Sequence, residues 1–115
     1  MSEEDPLIGI VGPCKAGKST LAQNLIKRGY RARQIVQEHS FAPSMWQKIT
    51  NPDFLVYLDI SYEQTVTRGG MNWMKHEYEE QLTRLAHARK HAHIYIHTDT
   101  LSPEQTLKKV IGELG

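Results

Sequence analysis

The sequence predicts a three-layer α/β/α sandwich around a small, mostly parallel sheet of about four strands. Three observations carry that prediction. Short apolar runs, at 7–11, 35–36, 54–58 and 94–96, alternate with segments patterned for helix. Helix start signals stand ahead of those segments, as at Ser61/Gln64 and Ser102/Pro103/Gln105. The first junction between a strand and a helix carries Gly12-x-x-x-x-Gly17-Lys18-Ser19, a spacing whose structural context is a strand before and an amphipathic helix after.

Residues 1–6 are polar and acidic and read as a loose tail ahead of one domain that fills the chain. The apolar run 7–11 is the first strand, and Leu21, Leu25 and Ile26 recur at helical spacing until Gly29 stops the helix after Arg28. Residues 32–38, with Ile35-Val36 at their centre, form a second strand; residues 39–50 form a loop with at most one helical turn. Asn51-Pro52-Asp53 turns the chain into a buried strand, 54–58, that ends in Asp59. A capping box at Ser61/Gln64 starts a short helix to Arg68, and Gly69-Gly70 ends it. Asn72 caps a longer helix to about residue 91 with Tyr78, Leu82, Leu85, Ala86 and Arg89 along one stripe. Residues 92–97 alternate as a fourth strand, and the last helix turns Leu107, Val110, Ile111 and Leu114 to the core.

At 115 residues, 39% hydrophobic, the chain has room for a single core. A formal charge of +1 gives no one-sign field, so nucleic acid is not an expected partner. No apolar run is long enough to span a bilayer and no secretory segment is visible, so no membrane partner is expected. With one cysteine there is no internal disulfide framework, in keeping with a cytoplasmic protein.

The chemistry of the 12–19 stretch is that of a phosphate cradle. Gly12 and Gly17 admit backbone angles closed to other residues, and the amides of Pro13-Cys14-Lys15-Ala16 and the helix start at Ser19-Thr20 can line an anion nest. Lys18 reaches the β- and γ-phosphates of a nucleotide, and the Ser19 hydroxyl ligates Mg²⁺. ATP and Mg²⁺ are therefore the expected ligands. Ligands in such sheets sit beyond the carboxyl ends of the strands, where this chain places Glu38, Asp59, Thr98 and Asp99. Asp59 or Glu38 serves the metal, with Asp59 placed first as a carboxylate ending an apolar strand. Glu38 is the candidate base for an acceptor hydroxyl. Arg68, ahead of the Gly69-Gly70 break, is the candidate for neutralising the transferred group.

The chain resembles P-loop kinases of the nucleoside monophosphate kinase type, thymidylate kinase among them. The matching pieces are Gly12-Pro13-x-x-x-Gly17-Lys18-Ser19-Thr20-Leu21, Pro52-Asp53-x-x-Val56-Tyr57-Leu58-Asp59 with Glu63 and Arg68, Arg84-Leu85-x-x-Ala88-Arg89, and Ile96-His97-Thr98-Asp99. They follow one another in the family's order over nearly the whole chain. The resemblance implies the P-loop NTPase fold, a lid running from Arg68 to about Arg84, and Thr98 to Leu101 against the nucleotide base. It implies Glu38 facing a phosphoryl acceptor. The family's acceptor-binding segment and one further strand have no counterpart in residues 39–53, so the resemblance is to a truncated member. By family position, moreover, the metal carboxylate belongs to that missing strand.

The expected function is an ATP-dependent phosphotransferase acting on a nucleoside, a nucleotide or a similar metabolite. The alternatives are a non-catalytic ATP- or ADP-binding module and a slow NTPase without an acceptor site. A homo-oligomer or a partner protein covering the missing segment is compatible with so short a chain. The remaining signals have plain explanations. Cys14 is a small residue tolerated in the loop, with an oxidation-sensitive thiol as the alternative. His87, His91 and His93 sit on a solvated basic face, with a transition-metal site as the alternative. His39, beside Glu38 at the expected crevice, is polar loop filler or part of the site. Trp46 and Trp73 are buried anchors, with stacking on a base or closing the lid as the alternative.

Overall fold

Four strands, β1 (Leu7–Val11), β2 (Arg31–Gln34), β3 (Phe54–Asp59) and β4 (Ile94–His97), pair in one sheet of order β2-β1-β3-β4 with every pair parallel. This architecture comes from a computed structural model that describes residues 5–115. The expected tail falls mostly on residues 1–4, outside the described residues; Asp5 and Pro6 are exposed. Four α-helices, α1 (Lys18–Lys27), α2 (Tyr62–Gly69), α3 (Lys75–His91) and α4 (Pro103–Leu114), lie between and after the strands.

The period of two along β3 divides the core. Val56 and Leu58 pack with Ile8, Ile10, Ile94 and Ile96 against Leu21 and Leu25 of α1 and Leu107 and Val110 of α4. Leu55 and Tyr57 pack with Val11, Ile35 and Trp46 against Leu85 and Ala88 of α3. Helices therefore cover both faces of a fully parallel sheet, an arrangement compatible with the expected sandwich. Each fully buried aliphatic side chain in these clusters contributes roughly 1.5–3 kcal/mol.

Local chemistry sets most element ends. In α4, Ser102 Oγ accepts the Gln105 amide (3.1 Å) while Gln105 Oε1 accepts the Ser102 amide (2.8 Å), with Pro103 in the first turn. In α2, Ser61 Oγ accepts the Gln64 amide (3.2 Å), and Gly70 closes the helix at φ +64°.

Three boundaries and one buried stripe differ from the sequence-based expectation. β2 ends at Gln34, not Glu38, because the chain turns at Val36 into a single 3-10 turn, Gln37–His39. That turn buries the Gln37 side chain, which donates to Ala42 O (2.9 Å) and accepts from the Trp46 amide (2.9 Å). The 39–50 loop is thus tied to the 3-10 turn by one amide group, and its single helical turn is the π-helical Trp46–Thr50. α3 starts at Lys75 rather than after Asn72. Trp73 holds the chain against α2 there: its indole donates to Thr65 Oγ1 (2.8 Å) and its carbonyl accepts from the Tyr62 hydroxyl (2.7 Å). The buried stripe of α3 is Gln81, Leu85 and Ala88; Leu82 is only half-buried and Ala86 is exposed. β4 begins at Ile94, two residues late.

Candidate functional site

β1 delivers the chain into the 12–19 loop directly beside β3. Gly12 has φ +155°, and a Cβ there would lie 2.1 Å from the Leu58 carbonyl oxygen, so no side chain fits without moving backbone. Lys15 and Gly17 follow with φ +69° and +97°; Gly17 then caps α1. Three positive-φ positions within six residues curl the loop into a cup. Lys18, the first residue of α1, is 4% exposed. Its Nζ donates to Gly12 O and Pro13 O, both at 2.9 Å, and pairs with Glu38 Oε2 at 3.1 Å. All three ammonium protons have partners.

The positive end of α1 has no side-chain cap and no acidic residue in its first turn. Ser19 and Thr20 are exposed on that turn, while Pro13 and Ala16 are buried beneath it. An anion at this end would meet the helix amides and the Ser19 hydroxyl together.

Cys14 is held from α3. Its amide donates to Gln81 Oε1 (3.0 Å), and Gln81 Nε2 donates back to Sγ (3.1 Å). On the other side, Sγ lies 3.7 Å from His39 Nε2, which is 3.8 Å from Glu38 Oε2. Glu38 thus joins Lys18 to the Cys14–His39 pair. Its Oε1 is buried with no hydrogen-bond partner. Arg84 of α3 donates to the Glu38 carbonyl (3.2 Å), fixing the turn that carries the carboxylate.

Beside the loop is a cleft of about 210 Å³, lined by Lys15, Gly17, Thr20, Arg68, Thr98, Leu101 and their neighbours. The stem of Lys15 lies against Gly69, where a Cβ would come within 2.5 Å of Lys15 Cγ. Arg68 donates to Thr98 O (2.6 Å) and Asp99 O (2.9 Å), tying α2 to the loop after β4. The Asp99 carboxylate turns to the Ser61 amide (2.9 Å) and to His97 (3.8 Å). Partial burial pushes the Asp99 carboxyl up, but the Ser61 hydrogen bonds and the charges of His97 and Arg68 outweigh it, leaving it below its ordinary value of 3.8.

The structure therefore brings together the 12–19 loop, Lys18 and Glu38, and beside them Arg68 and Thr98. The Asp59 main chain reaches that edge, its carbonyl accepting from the Thr98 amide and hydroxyl (both 2.9 Å), but its carboxylate is engaged elsewhere. By strand parity it shares a face with Tyr57, the face α3 covers, rather than the α1 face. Its carboxylate accepts from the Ile60 amide (2.9 Å) and from the Tyr95 hydroxyl. Of the two carboxylates expected for a metal, Glu38 is the one beside Lys18. The exposed Ser19 hydroxyl on the first turn of α1 is an oxygen donor that could hold a hard cation such as Mg²⁺.

Sequence patterns did not single out Gln81 or Gln37. Gln81 looks like a polar break in a helical stripe and Gln37 like part of a strand, and only their buried hydrogen bonds reveal them. Trp46 is a buried anchor, 5% exposed with its indole donating to His87 Nδ1 (3.0 Å), whereas Trp73 is only half-buried. No protein-family model matches the chain, and a search of curated proteins finds no match.

Proposed function

We propose that the chain binds ATP on the 12–19 loop and transfers its terminal phosphoryl group to a small-molecule acceptor, as a compact phosphotransferase of P-loop type. The observation that supports this most is the cup around Lys18. A desolvated ammonium is held by two loop carbonyls and one carboxylate at the uncapped positive end of α1. A polyphosphate entering that cup would replace those carbonyls as the partner of Nζ and meet the α1 amides. Mg²⁺ on Ser19 and phosphate oxygens would neutralise charge on the phosphates. The cleft between Lys15, Arg68, Thr98 and Leu101 suits the base.

Glu38 suits the acceptor side of this reading. Its unpartnered Oε1 would take the proton of the acceptor hydroxyl. The hydroxyl oxygen then bonds to the γ-phosphorus, the bond to the β–γ bridging oxygen breaks, and ADP leaves. A second reading, a nucleotide-binding module without turnover, is favoured by one observation. Glu38 is 2% exposed and held by Lys18, so an acceptor reaches it only if that pair opens.

ADP production from Mg-ATP over a panel of nucleosides, nucleoside monophosphates and sugars tests the proposal. Acceptor-dependent turnover in the wild type, lost in Lys18→Ala and Glu38→Gln that keep their helical circular dichroism, supports it. ATP binding by calorimetry without acceptor-stimulated turnover supports the binding module instead. No heat with ATP or GTP at millimolar concentration overturns both.

A further inference from the structure

We infer that Cys14, Glu38 and His39 form a site for one thiophilic divalent cation of the zinc class. Cys14 Sγ, a Glu38 carboxylate oxygen and His39 Nε2 all lie within 4.8 Å of one another, with Sγ–Nε2 at 3.7 Å and Nε2–Oε2 at 3.8 Å. A tetrahedral zinc ion with ligands at about 2.0–2.3 Å needs its donor atoms about 3.3–3.8 Å apart. Two of the three separations have about that spacing before any ion arrives, and the third is within 4.8 Å. A separate observation points to a ligand as well. The Glu38 side chain is 3% exposed, and its Oε1 has no partner while Oε2 is engaged by Lys18. The His39 distance is to Oε2, so a cation held there shares Oε2 with Lys18, and Oε1 is the carboxylate's remaining free acceptor.

The surroundings fit the chemistry. Gln81 Nε2 donates to Sγ and so orients the thiolate from outside the ligand set. The His39 side chain is 59% exposed, which leaves an entry path and a fourth position for water. A thiolate and an imidazole beside one carboxylate select a borderline-soft ion over Mg²⁺, which prefers oxygen donors. On binding, the Cys14 thiol releases its proton to solvent and the sulfur bonds to the metal; no electron is transferred.

The site shares Cys14 and Glu38 with the loop and the Lys18 cup, but its test needs no nucleotide. The reduced full-length chain is titrated with Co²⁺, and Zn²⁺ affinity is measured by competition with a chromophoric chelator. The expected result is one equivalent of Co²⁺ producing a thiolate-to-metal charge-transfer band that Zn²⁺ abolishes. Since Cys14 is the sole cysteine, that band identifies the site. His39→Ala and Cys14→Ser each weaken Zn²⁺ by more than about a hundredfold, whereas Gln81→Ala stays within the roughly 10–100-fold of an outer partner. A Co²⁺ spectrum without the charge-transfer band, as the His87/His91 pair would give, overturns the inference. So does wild-type Zn²⁺ affinity in His39→Ala, an exposed position whose change leaves the fold intact even if Cys14→Ser does not.

Discussion

Lys18 Nζ and Glu38 Oε2 lie 3.1 Å apart, with both side chains almost wholly withdrawn from solvent, at 4% and 3% exposure. A pair buried to this degree is costly to break from one side, because the partner left behind keeps its charge without compensation. Glu38→Leu and Lys18→Met should each lower stability by about 3–5 kcal/mol in urea unfolding. The double variant Lys18→Met/Glu38→Leu should cost less than either single change. A double-mutant cycle with no coupling between the two positions would mean the pair is not formed in solution.

Gly12 and Gly17 should differ in their tolerance of alanine although both have positive φ. At Gly12 the new methyl meets the Leu58 carbonyl at 2.1 Å, whereas at Gly17 nothing lies within 4 Å. Gly17→Ala pays only for its backbone angle, roughly 1–2 kcal/mol. Gly12→Ala must also displace β3, and a loss above about 4 kcal/mol is expected. Thermal melts of the two variants check the order.

Asp99 predicts an acid-side change in stability. Its folded carboxyl titrates below 3.8, so its contribution is fully present above that value and is lost as pH falls through the lower folded value. Asp99→Asn should flatten the stability profile over that acid window. Asp99→Ala, which removes the acceptor of the Ser61 amide, should also loosen α2, whose cap is Ser61. Hydrogen exchange at the first turn of α2 reads that loosening.

Tyr78 predicts the opposite limb. Burial first, then the negative charges of Asp59, Asp99 and Glu63, push its phenol from 10.0 to about 12. The folded state then keeps a proton the unfolded chain gives up, so stability is complete below 10 and declines as pH rises toward 12. Tyrosinate absorbance should show Tyr78→Phe removing one late-titrating group. The variant also forfeits the hydroxyl's bond to the Ile60 carbonyl (2.6 Å), worth about 1 kcal/mol at neutral pH.

What could be read from residues alone follows the range of the interactions involved. β1, α1 and the reciprocal cap of α4 depend on neighbours within a few positions, and the structure places them as expected. The start of α3 depends on Trp73 reaching back to Thr65 and Tyr62, so a good capping residue, Asn72, was bypassed. The split between Glu38 and Asp59 depends on which strand each follows, because α3 covers both the turn that carries Glu38 and the β3 face that carries Asp59. Glu38 comes off a 3-10 turn after β2, whereas Asp59 continues the alternation of β3 away from α1. Gln81 carries no local signal, because its partner Cys14 is 67 residues away.

The carboxylate of Glu38 has an ammonium on one oxygen and a sulfur–imidazole pair within reach. Any visitor that claims one oxygen alters the charge felt at the other, and the 3-10 turn beneath gives the group little room to retreat. The cup and the sulfur side of the loop are in that sense two ends of one lever, with a single acidic residue as its fulcrum.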